Sequence, residues 1–146
     1  MSDDADVLPV WMRGALFATA VMNILVAAAF APSAGAVRAL AGMPEAEQPI
    51  YLAIVGLFVM LFGVAYLWVA VTGRPERFFI AVAAAGKTGF VALLGVFWAG
   101  GTLPFRTFLA GTADLVFAIL FVTWLAGART VRAEPARAAA TGATGR

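Results

Sequence analysis

Residues 78–99 read FFIAVAAAGKTGFVALLGVFWA, and residues 103–126 read LPFRTFLAGTADLVFAILFVTWLA. Each is an apolar run of about 20 residues, the length an α-helix needs to cross the ~30 Å hydrocarbon core of a bilayer. The first contains a single charge, Lys87. The second carries Arg106 near its start and Asp114 well inside. An ionisable residue costs a few kcal/mol or more in a membrane span, so it faces a partner or a cavity. Two consecutive spans that carry opposite charges decide both the fold and the place to look for function.

Two further runs have the same length. One covers roughly Val10 to Phe30, with Arg13 near its start, and the other roughly Ile50 to Thr72, with no charge. The sequence therefore predicts an all-α integral membrane four-helix bundle, with spans near 10–30, 50–72, 78–99 and 103–126. An acidic segment (1–9, with Asp3, Asp4 and Asp6) precedes the bundle, and a basic tail (127–146) follows it. The tail has few large apolar residues and reads as unstructured. Ala29-Phe30-Ala31 has the form of a signal-peptidase site. The acidic start and the long apolar run argue instead for a retained first span.

Composition agrees. Hydrophobic residues make up 63% of the 146 and charged residues 12%, against roughly 25% charged in soluble domains. Mean hydropathy is +0.94. A net charge of +2 gives no footing for nucleic acid. Cysteine and histidine are both absent. That removes thiol–disulfide exchange, His-based acid–base catalysis and the usual ligand sets for haem, copper and zinc. No cofactor, metal site or catalytic constellation is expected, and the balance is against an enzyme. The expected partners are the lipid bilayer, a membrane protein or second copy of the chain, and a small apolar ligand.

The joints fix connectivity. Ala31 to Gln48 is rich in Pro, Gly and Glu, as a loop should be, and a short amphipathic segment is expected near Ala36 to Leu40. The joints at 72–77 and 100–102 are short, which predicts that the second, third and fourth spans are antiparallel neighbours. With four spans, both termini and the second loop share one side. That side carries Arg13, Arg74, Arg77, Arg129, Arg132, Arg137 and Arg146, and the other carries Arg38 and Arg106. The positive-inside rule places the termini in the cytoplasm. Trp11, Trp68, Trp98 and Trp124 fall near span ends, and Arg13 and Arg106 read as residues that snorkel to the interface.

Helices in lipid associate through small residues that let backbones approach. Such stripes occur in every span: Ala15, Thr19, Asn23 and Ala27; Gly56 and Gly63; Ala81, Ala85 and Gly89, with Ala84, Thr88 and Ala92 beside them; and Ala110, Asp114 and Ala118. These faces are expected to turn inward. At 1.5 Å of rise per residue, Lys87 lies ~13 Å and Asp114 ~18 Å from the cytoplasmic end of its span, and Asn23 ~20 Å. The three are predicted to meet near the middle. The site is then either an ion pair that locks two helices together, with Asn23 supplying a hydrogen bond, or a polar cavity for a small ligand, ion or proton. Tyr66 and Trp68 either line a pocket or meet the headgroups, and the headgroup reading is favoured. Thr19, Thr88, Thr112 and Thr123 can bond their own helices. Gly86-Lys87-Thr88 lacks the upstream glycine of a phosphate-binding loop and lies mid-span, so it is not read as one.

Arg74-Pro75-Glu76-Arg77, Gly86-Lys87 and Gly111-Thr112-Ala113-Asp114-Leu115-Val116-Phe117 together resemble the DoxX-like group of small four-helix bacterial membrane proteins. The likeness runs over roughly Ile50 to Ala126, about half the chain. The resemblance implies a four-helix bundle in a bacterial inner membrane, and the group includes subunits associated with oxidoreductases. It carries no catalytic residue onto this chain, and the missing cysteines argue against a thiol-redox role. Two functions stay open. One is a non-catalytic membrane subunit or apolar-ligand-binding protein. The other is a small transporter or proton-coupled carrier that uses Lys87 and Asp114. Transporters often show internal repeats and broken helices. With neither evident in the sequence, the first is favoured.

Overall fold

A computed structural model describes residues 7–43 and 48–142, with side chains as far as residue 127. The acidic residues Asp3, Asp4 and Asp6 lie outside the described residues. Among the described residues six helices follow in order: α1 (Val10–Ala29), α2 (Gly35–Leu40), α3 (Pro49–Thr72), α4 (Arg77–Ala99), α5 (Phe105–Gly111) and α6 (Ala113–Gly142). Four segments are long and apolar enough to span a bilayer: Val10–Ala29, Pro49–Thr72, Arg77–Ala99 and Phe105–Gly127. The protein is an integral membrane helical bundle. Large apolar side chains such as Phe58, Phe78 and Val96 cover its outside. Without water in the hydrocarbon, each backbone meets its own hydrogen bonds as helix.

The joints use the expected chemistry. Pro49 opens α3 at its first turn, where its missing N–H costs nothing. Gly73 closes α3 at φ +67° and returns its N–H to Val69 O at 3.0 Å. The Gly73 carbonyl then accepts the Leu8 N–H at 2.8 Å, which pins the N-terminal approach to the α3–α4 joint. The amphipathic segment expected in the first loop is α2. The helical backbone of α6 continues past the span to Gly142, where the sequence reads as unstructured. The many alanines and arginines there are good helix formers.

The third and fourth spans are neighbours as expected, but the second and third are not. α1 packs along α3, and α4 packs along α5 and α6. No Cα of α3 comes within 8 Å of one in α4, although their joint is short. The two spans splay because bulky rings, Phe62 and Tyr66 from α3 and Phe79 from α4, fill the space between them. Backbone approach between the two pairs is made by α1 and α6. The core lies toward the end that carries the α3–α4 joint, with Leu8, Met12, Leu16, Tyr66, Ile80 and Phe121 among its members.

The stripes divide. Thr19, Ala15 and Ala27 of α1 are buried, as are Gly56 and Gly63 of α3. A Cβ at Gly56 would lie 3.0 Å from Phe30 Cβ, and one at Gly63 would lie 3.1 Å from Ile24 Cγ1 and 3.4 Å from Ala20 O. In α4 the expectation holds only at Ala84, which is buried, while Thr88 and Ala92 of the same stripe are exposed. Ala81, Ala85 and Gly89 are exposed, and a Cβ on Gly89 would meet nothing within 4 Å. The inward face is Ile80, Ala83, Ala84, Lys87 and Val91, about 140° around the helix from the Ala81–Ala85–Gly89 stripe at 3.6 residues per turn. In the fourth span Ala118 is buried and Ala110 exposed.

The fourth span is also broken, which the sequence reading did not anticipate. Thr112 separates α5 from α6. Its N–H reaches only back to Leu109 O (3.1 Å), and its carbonyl takes the Leu115 N–H (3.0 Å), both tightened three-residue bonds. Beside the break Gly111 lets α5 lie against α4, because a side chain there would collide with Leu94. At the opposite end of the bundle Thr107 Oγ1 lies 3.0 Å from the carbonyls of both Ala41 and Gly42, tying α5 to the first loop.

Candidate functional site

Lys87 and Asp114 meet. Lys87 Nζ donates to Asp114 Oδ1, joining α4 to α6 in an ion pair. Lys87 is 6% exposed. Its ammonium lies 5.7 Å from the centre of the Tyr66 ring and 5.5 Å from that of Phe117. The charge is therefore enclosed by one carboxylate and two aromatic faces, each of which attracts a cation. Asp114 sits in the first turn of α6. The Lys87 ammonium offsets the cost of burying this anion.

Asn23 does not join them. It lies in α1 against α3 and donates Nδ2 to Val59 O at 3.4 Å. Its depth estimate counted residues along one helix and carried no information about rotation. Tyr66, expected at the headgroups, is 2% exposed and belongs to the site, whereas Trp68 is 70% exposed. Phe117 was missed altogether. It stands three residues after Asp114, on the same face of α6, and that spacing is the signal available for it. Tyr66 follows Gly63 by three residues, which places it on the packed side of α3.

The four threonines behave as expected. Thr19, Thr88 and Thr123 bond the carbonyls four residues back, and Thr112 that of Leu109. The arginines do more than snorkel. Arg13 donates Nε to Ala70 O (2.9 Å) and Nη2 to Val71 O (3.3 Å) at the end of α3. Arg38 donates Nη1 to Ala29 O and Ala31 O at the end of α1. Cations suit these carbonyl-rich helix termini. Arg106 lies against Gly42, where any side chain would strike it.

Polar capacity is left over at the pair. Lys87 uses Asp114 Oδ1, and among the described residues neither Asp114 Oδ2 nor the Tyr66 hydroxyl makes a hydrogen bond. No fully enclosed side-chain polar atom among the described residues lacks a partner, so both retain a small opening. The Asp114 side chain is 18% exposed, against 7% for that of Lys87. The arrangement is a fixed cation with an anion and a phenol at its accessible edge. It can accept and donate hydrogen bonds. Among the described residues no group of three His, Cys, Asp or Glu could hold a metal ion. Comparison with known proteins gave no match to a family model, a curated protein or a solved structure.

Proposed function

We propose that this is a binding protein of the bacterial inner membrane, DoxX-like in architecture, which acts as a non-catalytic subunit or on its own. It holds a small, mainly apolar ligand by a hydrogen-bonding group at the Tyr66–Asp114 opening. The observation that carries this reading is the Tyr66 hydroxyl, which belongs to a residue 2% exposed and has no partner among the described residues. A hydroxyl that reaches the outside only through a small opening is free to bond a ligand that enters there. Native mass spectrometry of the protein extracted in mild detergent tests the idea. Wild type should retain a small bound molecule that Tyr66→Phe loses at unchanged thermal stability. Equal retention by both would remove Tyr66 from any site.

A carrier is the second reading, favoured by the break at Thr112 two residues before Asp114. Interrupted helices beside a midplane charge are a feature of transporters. In proteoliposomes with an internal pH dye, proton flux lost in Asp114→Asn would favour the carrier over the binding protein.

A further inference from the structure

At the cytoplasmic end of the α1–α3 pair, on the outside of the bundle, lies a groove of about 440 Å³. Val10, Gly14, Phe17, Ala70 and Val71 make an apolar floor and walls, and Arg13 stands at the mouth. A Cβ on Gly14 would meet nothing within 4 Å, so the floor is open there. Phe17 is 52% exposed and Val71 65%, which leaves the walls facing the lipid phase. Arg13 lies three residues into α1, ~5 Å from its start, which is the depth of the boundary between headgroups and acyl chains.

Arg13 is held in place from behind. Nε and Nη2 are bonded to the carbonyls of Ala70 and Val71, so the plane of the guanidinium is fixed. A guanidinium has five N–H donors. Among the described residues Nη1 makes no hydrogen bond, and no carboxylate pairs with Arg13. A preset guanidinium with spare donors and no carboxylate partner among the described residues is suited to a phosphate. A charge at headgroup level above an apolar channel leading into the hydrocarbon matches the shape of a phospholipid.

We infer that this groove is a binding site for an anionic phospholipid of the cytoplasmic leaflet, its phosphate on Arg13 and an acyl chain along Gly14 and Phe17. The lipid would staple α1 to α3 where Arg13 already bridges them. An unpaired basic residue near an anionic surface gains roughly fivefold in lipid affinity. The preference for an anionic headgroup over a zwitterionic one should be at least that large.

The test uses the full chain in detergent, titrated with phosphatidylglycerol or phosphatidylcholine and read by native mass spectrometry. Wild type should bind phosphatidylglycerol about fivefold or more tightly than phosphatidylcholine. Arg13→Gln should abolish that preference. Gly14→Leu should block retention of either lipid, by filling the floor, while Arg13 stays in place. Gly14→Leu also guards against misfolding of the Arg13 variant, since its added side chain enters open space. Equal binding of the two lipids by wild type, or unchanged phosphatidylglycerol binding in Gly14→Leu, would overturn the site. So would a lipid-independent dimer that either substitution dissolves, because a second copy of the chain would then be the occupant.

Discussion

The α1–α3 pair and the α4–α6 pair solve one problem in different ways. Lipid tails are as apolar as the helices, so neither pair gains from hiding its Leu and Phe, and something else must hold it. In the first pair it is close approach. Gly56 and Gly63, one heptad apart, meet Ala20, Ile24, Ala27 and Phe30, and the one side-chain hydrogen bond across the middle runs from Asn23 to a backbone carbonyl. In the second pair it is charge. Lys87 and Asp114 bind across the interface, with Gly111 admitting Leu94 nearby. In the middle of the membrane close approach leaves only Asn23 as a polar group bonding across the pair, whereas the ion pair leaves a carboxylate oxygen and draws in the Tyr66 phenol of α3.

The widest break in that comparison comes from the charges. Lys87→Met or Asp114→Asn alone strands its partner inside the membrane, and each should lower stability by ~3–5 kcal/mol. The double variant should recover much of the loss, because replacing a buried pair is far cheaper than breaking it. Thermal unfolding in detergent over the four-member double-mutant cycle measures the coupling. Additive losses would show that the pair does not hold α4 to α6.

The α1–α3 pair should respond to bulk instead. Gly63→Leu pushes a side chain into Ile24 and the Ala20 carbonyl, and overpacking of this kind costs ~1–3 kcal/mol. Asn23→Leu, which removes one interhelical hydrogen bond, should cost ~0.6 kcal/mol. Unfolding of both variants under the same conditions ranks them. A larger effect from Asn23 than from Gly63 would mean that hydrogen bonding, not approach, holds this pair.

How far the sequence carried follows from which quantities are local. Span number and the partnership of Lys87 with Asp114 depend on hydropathy, length and depth, all of which run along one helix at a time. They were legible. The rotation of each helix was not. Alanine is so frequent in α4 that Ala81, Ala85 and Gly89 make as good a stripe as Ala83, Ala84 and Val91, and only the position of Lys87 marks the inward side. Neighbours were misread for a related reason. A short joint brings the ends of α3 and α4 together but does not hold their axes close once Tyr66 and Phe79 stand between them, 5.2 Å apart at the ring centres. The break at Thr112 has no proline to announce it. Its one sequence sign is Gly111-Thr112, two poor helix formers in succession.

The smallest expected effect sharpens the comparison most. Ala85→Leu and Gly89→Leu place large side chains on the face of α4 turned away from the bundle, where both residues are exposed and a Cβ on Gly89 meets nothing. Substitutions away from packed features stay within about 0.5 kcal/mol, and added leucine on a lipid-facing surface leaves no polar group unsatisfied. Both variants should therefore unfold with wild type, while Gly63→Leu, the same change within α3, does not. The contrast separates a glycine needed for approach from a glycine that merely occurs. Losses at Ala85 and Gly89 comparable to that at Gly63 would mean that this face of α4 is packed as tightly as the α1–α3 seam, against another subunit. Size-exclusion chromatography of the same variants would then show the assembly falling apart with the stability.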